Sequence, residues 1–219
     1  CNWVELLSID IVLENPVLTM DYIWALILTG ELKKLDNVID KSSLKSIVHN
    51  GNTTKTIDCF SEGELLAIKA VRAHFLNDIN VSITFSNNAL PLLLKEDRSN
   101  AIKSVVLFHL GKSYLIVGRH ADAIKTFTNC IENSKKNGFW TTLLMSYSHI
   151  GMINILQAKL TKANYTFSQI IKEKGKLSNI SFPTYCFAYL GLGIVAIEEN
   201  RLDQGLKYLN ECIRLNNIL

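Results

Sequence analysis

The sequence predicts an all-α protein, a right-handed superhelical solenoid of about five helical hairpins. Three observations support this prediction. A skeleton of apolar and small residues recurs at intervals of 40 and 42 residues, the apolar positions in each copy follow helical spacing, and only three prolines interrupt the 219 residues. The low proline content leaves long stretches in which helices can form.

Three clear copies of the skeleton carry this prediction. Each has a first helix with a glycine, and a second helix with a small residue twelve positions later and a bulky residue four positions beyond that. The copies read Leu107, Leu110, Gly111, Tyr114, Ala123 and Phe127; then Tyr147, Ile150, Gly151, Asn154, Ala163 and Phe167; then Tyr189, Leu192, Gly193, Ala196, Gly205 and Leu209. Unrelated helices are not expected to share so constant an internal offset.

The three glycines have a physical explanation. A glycine inside a helix costs roughly 0.5 to 1 kcal/mol relative to alanine. Repeating that cost at Gly111, Gly151 and Gly193 predicts a repeated close approach of the second helix. Because one hairpin leaves an apolar face uncovered, successive hairpins are expected to stack into a solenoid.

Short polar turns join the two helices of each hairpin, namely VGRHAD, QAKLTK and ENRLDQ. Gly118 and Asn200 suit the left-handed backbone conformation found at helix ends. We expect the stacked hairpins to form a concave surface lined by first helices and a convex surface lined by second helices.

Two weaker copies precede these three, around residues 66–86 and 22–26. We therefore expect one domain over 1–219, with hairpins at 16–40, 62–94, 99–137, 139–176 and 183–216, and with 1–14 as the end of a preceding unit. Residues 40–64, which contain NGNTTKT, break the period and are predicted to form a loop. Because the first residue is Cys1 rather than methionine, we expect a fragment of a larger protein.

The skeleton resembles the tetratricopeptide repeat (TPR), with a period longer than the ~34 residues typical of that family. The order of NWVELL, ENPVLTMDYIWALILTGEL, GELLAIKAVRAHFLNDINVSITFSNNAL, LFHLGKSYLIVGRHADAI and LGIVAIEENRLDQGLKYLNECI is similar to the repeat region of MalT-like, LuxR-type transcriptional regulators. This resemblance covers almost the whole chain.

The resemblance implies a sensor region. In that family a nucleotide-binding switch module precedes the helical array, a LuxR-type helix-turn-helix domain follows it, and the array senses an inducer or a partner. The sequence contains no G-x4-G-K-[ST] loop, and GLGIV at Gly191 lacks the lysine, so we interpret its glycines as packing positions. It also has no basic recognition helix, and we expect no direct contact with nucleic acid.

His109 and His149 are the sharpest candidates for a ligand site. They lie one 40-residue period apart, each two residues before the glycine of its first helix, which places them on the same side of adjacent helices near the concave groove. Two interpretations stay open: a polar pair that contacts a ligand, or two half-exposed histidines hydrogen-bonded to a neighbouring turn. The candidate groove residues are His74, Phe108, His109, Lys112, Met145, Ser148, His149 and Met152.

Other chemistry is not predicted. No carboxylate or cysteine recurs in register with the two histidines, so we expect no metal site. No Ser/His/Asp or Cys/His set shares a motif, so we expect neither an enzyme nor a cofactor. Cys130 and Cys212, each three residues after the bulky second-helix position, are expected to fill the core.

Charge and cysteine usage favour a cytoplasmic protein. Basic and acidic residues are interspersed and give a net charge of +3, which is not the pattern of a phosphate-binding stripe. The five cysteines form no CxxC pair and indicate a reducing compartment. The most apolar run, Tyr22 to Leu28, is far below the ~20 residues that cross a bilayer.

The sequence therefore predicts two alternative functions. The first is the sensor region of a LuxR-type regulator, which binds an inducer or a protein partner in its concave groove. The second is a general TPR-like interaction scaffold without a small-molecule ligand. Expected partners are a protein or other modules of the same chain, a small-molecule or peptide inducer, and a second copy in a homo-oligomer, but not a membrane.

Overall fold

A computed structural model describes residues 9–39, 60–93, 99–176 and 185–217. All regular structure within these ranges is helical, which confirms the predicted all-α class. The helices are α1 (Ile9–Glu14), α2 (Pro16–Thr29), α3 (32–39), α4 (Glu62–Phe75), α5 (Ile79–Leu92), α6 (Ser99–Ile116), α7 (His120–Asn137), α8 (Trp140–Leu156), α9 (Leu160–Lys176), α10 (Tyr185–Glu198) and α11 (Leu202–Asn216). The chain forms two compact units, Cys1–Lys95 and Glu96–Leu219.

The N-terminal unit contains α1 to α5. A capping box begins α4: the Glu64 backbone N–H donates to Ser61 Oγ (3.3 Å) and the Ser61 N–H donates to the Glu64 carboxylate (2.9 Å). A Cβ atom at Gly63 would lie 2.9 Å from Leu92 Cβ, so the start of α4 lies directly against the end of α5. The Arg72 guanidinium donates two hydrogen bonds to Asp36 (2.7 and 2.8 Å) and joins α4 to α3.

The C-terminal unit consists of three stacked hairpins, α6–α7, α8–α9 and α10–α11. Each first helix packs against its own second helix, and α8 and α10 also pack against the second helix of the hairpin before them, α7 and α9. The first helix α8 further contacts both α6 and α10. The first helices therefore form one row. This is the stacking that the repeated skeleton predicts.

The repeated glycines occupy equivalent places in these hairpins, as predicted. A Cβ atom at Gly111 would lie 2.6 Å from the Phe127 ring, one at Gly151 would lie 2.5 Å from the Phe167 ring, and one at Gly193 would lie 2.9 Å from the Leu209 side chain. The glycine of each first helix thus makes room for the bulky residue of the second helix.

Each bulky residue also contacts the next first helix. The Phe127 ring lies 5.1 Å from the His149 ring of α8, centroid to centroid. A Cβ atom at Gly191, the equivalent position on α10, would lie only 2.2 Å from the Phe167 ring. Phe167 is therefore held between Gly151 and Gly191, which confirms the interpretation of GLGIV as a packing motif.

The five hairpin turns share one conformation. Gly30, Asn77, Gly118, Ala158 and Asn200 all have a positive φ, between 53° and 77°. In each turn the left-handed residue donates its N–H three residues back and the next residue donates five residues back, as a Schellman motif does. The prediction for Gly118 and Asn200 is confirmed, and the left-handed alanine was not foreseen.

Two expectations fall largely outside the described residues. One is the end of a preceding unit over 1–14, of which 9–14 form α1. The other is the loop over 40–64, of which 60–64 are described; it was wrong at its end, because α4 begins at Glu62. Within the ranges given above, no helix combines the length and the apolar character that crossing a membrane requires.

Candidate functional site

Seven of the eight candidate groove residues lie in the C-terminal unit, on α6 and α8. Phe108, His109 and Ser148 are buried there, Lys112, Met145 and His149 are half-buried, and Met152 is exposed. The eighth, His74, lies on α4 in the N-terminal unit, where it is largely buried with its ring edge-on to Phe75 (centroids 6.2 Å apart).

Four aromatic rings of α6, α7 and α8 form a cluster at the centre of the predicted site. Phe108 meets His109 and His149 in edge-to-face geometry, with ring centroids 5.4 Å apart in both pairs, and lies 6.0 Å from Phe127. Such geometries are favourable because the electropositive edge of one ring faces the electron-rich face of another. The cluster joins the first hairpin of this unit to the second.

His149 is oriented by its own helix. Its Nδ1 lies 2.8 Å from the Met145 carbonyl oxygen, which assigns the Nδ1–H tautomer as the donor. Burial lowers the pKa of His149, and the nearby Lys112 charge lowers the pKa further against the opposing effect of that hydrogen bond. Burial and the Lys112 charge therefore both favour the neutral form of the imidazole.

Lys112 supplies positive charge at this site. Its Nζ lies 5.7 Å from the centroid of the Phe108 ring, within cation–π distance. Partial burial lowers the pKa of Lys112, because the charged ammonium loses hydration. Ser148, next to His149, donates its hydroxyl to the Leu144 carbonyl oxygen (3.0 Å) and so has a partner within α8.

One sequence family fits this chain. Its description is MalT-like TPR region, and it matches residues 63–218, which span α4 to α11. The chain belongs to this family. No curated protein sequence matches the chain.

Solved structures support the fold of this MalT-like TPR region. The apo form of RapI superposes with a TM-score of 0.69 at 14% identity, over 92% of this chain and 70% of RapI. BtubC from P. vanneervenii gives 0.70 at 9% identity, over 95% of this chain and 85% of BtubC. The Rap conjugation gene regulator of plasmid pLS20, solved in complex with the Phr* peptide, gives 0.60 at 16% identity, over 92% of this chain and 52% of that regulator. At these identities the likeness concerns the fold, and the predicted TPR-like helical solenoid is confirmed.

In the C-terminal unit of this MalT-like TPR region, side chains at equivalent positions of the three first helices form a row. We call this row the first-helix surface. It consists of Val105, Lys112 and Ile116 on α6, Met145, Met152 and Leu156 on α8, and Phe187 and Ile194 on α10, all of them half-buried or exposed.

Sequence reasoning included only Lys112, Met145 and Met152 of this surface. The signal for the others was available, because Ile194 is one period beyond Met152, and Leu156 is one period beyond Ile116. The two histidines were predicted instead, because they recur in register in the sequence.

The first-helix surface is mostly apolar. Lys112 is its charged member, and the position of α10 equivalent to Ile116 and Leu156 is occupied by the exposed Glu198. Apart from the amine of Lys112, none of its side chains is a nucleophile, a general acid or a general base. In the described ranges, no group of three or more His, Cys, Asp or Glu side chains is arranged to hold a metal ion. The arrangement suits binding rather than chemistry, and the family and structures named above are those of repeat proteins rather than enzymes.

Proposed function

We propose that this chain is the sensor region of a cytoplasmic LuxR-type transcriptional regulator, and that it binds a peptide or an extended protein segment along the first-helix surface. The observation that carries this proposal is the row of accessible apolar side chains that continues across α6, α8 and α10. Membership of the MalT-like TPR region supports the regulatory context. Binding would act by favouring one arrangement of the regulator's modules over another.

A peptide is the ligand class that this surface suits best. The row runs across three helices and exposes large side chains such as Met152, Leu156 and Phe187 at successive positions, so it offers repeated apolar contacts rather than one enclosed cavity. The pLS20 Rap regulator, which has a related fold, was solved with a bound peptide. A small-molecule inducer stays a prediction from the family resemblance.

Lys112 adds a preference for a carboxylate. Its ammonium has lost part of its hydration, and an anionic group of the ligand would restore favourable interactions for the charge. We therefore expect bound segments to combine apolar side chains with an acidic residue or a free C-terminus.

Selection from a displayed library of random short peptides tests this proposal. We expect the selected peptides to be apolar with one acidic group, and we expect Met152→Lys to weaken their binding about tenfold or more in fluorescence anisotropy. Tyr165→Lys, at an exposed position on α9, is the matched control and should leave binding unchanged. Equal affinity for the wild-type chain and the Met152→Lys variant would contradict the proposed site.

A further inference from the structure

Lys112 occupies a repeat position at which the other two first helices carry apolar side chains. Met152 on α8 and Ile194 on α10 lie one and two repeats beyond it. The Lys112 side chain is half-buried, and its Nζ lies over the Phe108 ring, 5.7 Å from the centroid. The amine therefore stands at the edge of an apolar surface and is still in contact with solvent.

No carboxylate neutralises the charge of Lys112. Neither its own helix α6 nor the neighbouring first helix α8 contains Asp or Glu, and no ion pair in the described ranges involves Lys112. Partial burial disfavours the ammonium form and lowers the pKa of Lys112. A lysine amine attacks an electrophile only in its neutral form, so these surroundings favour a nucleophilic amine.

Two other lysines share one feature each with Lys112. Lys103 is also a half-buried residue of α6, but it lies over no aromatic ring in the part of the chain that the structure describes. Lys69 on α4 lies 6.0 Å from the centroid of the Phe85 ring, but it is exposed. Lys112 combines partial burial with the aromatic contact, so these two lysines are internal controls for its reactivity.

We infer that Lys112 is an acylation site, which accepts an activated acyl group from an acyl phosphate or an acyl thioester. The neutral amine attacks the carbonyl carbon of the donor and forms a C–N bond. The C–O bond of the acyl phosphate or the C–S bond of the thioester breaks, and the phosphate or thiolate leaves with the electron pair. The amine proton passes to solvent, and no oxidant or reductant is consumed.

Acylation of Lys112 removes the positive charge of the first-helix surface and leaves its apolar side chains unchanged. The modified chain therefore loses its preference for a carboxylate but keeps its apolar contacts with a peptide. This consequence for binding rests on the function proposed above, whereas the reactivity of the amine does not.

Site-resolved acetylation of the full chain tests the inference. The chain is incubated near pH 7 with acetyl phosphate in one arm and with the S-acetyl thioester of N-acetylcysteamine in the other, and mass spectrometry measures the rate at each lysine. We expect Lys112 to react about threefold or more faster than Lys103 and Lys69. A preference for Lys112 in one arm alone supports the inference and identifies the carrier of the acyl group. Lys112 rates no higher than those of both controls in both arms would overturn it.

Two variants test the consequence for binding. Lys112→Gln mimics the acylated side chain, and Lys112→Arg keeps the charge. We expect Lys112→Gln to weaken the binding of a selected acidic peptide about threefold or more, and Lys112→Arg to bind it as the wild type does. Equal binding by both variants would overturn the effect of acylation on the ligand.

Failure of this inference is separable from failure of the proposed peptide site. If Met152→Lys weakens peptide binding while Lys112 reacts no faster than Lys103 and Lys69, the peptide site stands and the acylation site does not. If Lys112 reacts fastest while Met152→Lys leaves binding unchanged, the acylation site stands and the peptide site does not.

Discussion

Phe167 shows at the scale of single residues why the repeat needs glycine. Its ring is fully buried between α8 and α10, and a Cβ atom at either Gly151 or Gly191 would overlap it. Leu209, which occupies the same position in the last hairpin, has a glycine on one side only and is half-buried. The equivalent glycines are therefore not equally necessary.

Alanine substitutions at two equivalent glycines test this difference. Gly151→Ala gains roughly 0.5 to 1 kcal/mol of helix propensity but loses about 1 to 3 kcal/mol by overpacking against Phe167, so we expect net destabilisation of about 1 kcal/mol. Gly193→Ala should keep most of the propensity gain, because Leu209 can move toward solvent. Urea denaturation measures both changes, and equal effects of the two substitutions would show that the ring is not confined.

His149 is a second residue at which the structure adds to the sequence. The sequence left open a ligand contact or a hydrogen bond to a neighbouring turn. In the structure the hydrogen bond goes to Met145 in the same helix, and the ring covers Phe127 where α10 uses Gly191 to cover Phe167. Packing explains its place in the repeat, and ligand contact stays a prediction.

The turns belong to the scale of secondary-structure elements. All five described hairpin turns need one residue with positive φ, and the chain uses glycine, asparagine and alanine for it. Alanine is the least suitable of these, since the left-handed conformation costs L-residues with a Cβ atom roughly 1 to 2 kcal/mol. The sequence gives no sign of this strain, because QAKLTK contains neither glycine nor asparagine.

Ala158→Gly should therefore stabilise the chain. The substitution removes the strain at φ +53°, and the greater freedom of glycine in the unfolded state offsets part of the gain, which leaves up to about 1 kcal/mol. Gly118→Ala makes the reverse substitution at the equivalent turn, where φ is +75°, and should destabilise the chain by about 1 kcal/mol. Thermal and urea denaturation measure the stability change of each variant. A loss of stability in Ala158→Gly would contradict the assigned turn conformation.

α11 shows that the burial of a repeat position depends on where its helix lies in the array. Cys130 fills the core as expected, but Cys212, at the same repeat position, is only half-buried. The expectation for Cys212 was wrong in this respect, because burial at that position requires a following first helix, and the described residues contain none there.

On the scale of the whole molecule, the six helices of the C-terminal unit bury their shared face among themselves. Each neighbouring pair from α6 to α11 is in contact, and the row of first helices is continuous. In a repeat architecture stability is approximately a sum of hairpin and interface contributions. A piece that keeps three hairpins and both interfaces is therefore expected to fold.

A fragment of residues 96–219 should be helical and should unfold cooperatively. A fragment of residues 139–219 lacks α6 and α7, so it exposes the face of α8 that covers Phe127 in the full chain. Its melting temperature should be lower than that of the fragment 96–219. Circular dichroism with thermal unfolding compares the two with the full chain. A fragment 96–219 without helical signal would show that the boundary at Lys95 and Glu96 does not separate an autonomous unit.

The fold was predictable to a large extent, whereas the site was predictable only in part. Helical spacing and a fixed offset between Gly111 and Ala123 identify a hairpin, because both depend on neighbours in the sequence. The exposure of a side chain depends instead on which other helices pack against its own helix. For that reason Phe108 and Ser148, chosen as groove residues, are buried, while Ile116, Leu156 and Phe187 on the first-helix surface were missed.

The sequence by itself determined the class, the period, the close approach of two helices at each repeated glycine, and two of the left-handed turns. These features are local, and the energies that enforce them act within one hairpin. The tertiary structure alone decided that Phe127 and Phe167 are covered a second time by the next first helix, and that within the described residues Leu209 is not. That distinction depends on contacts between hairpins, and identical spacing within the hairpins does not encode it.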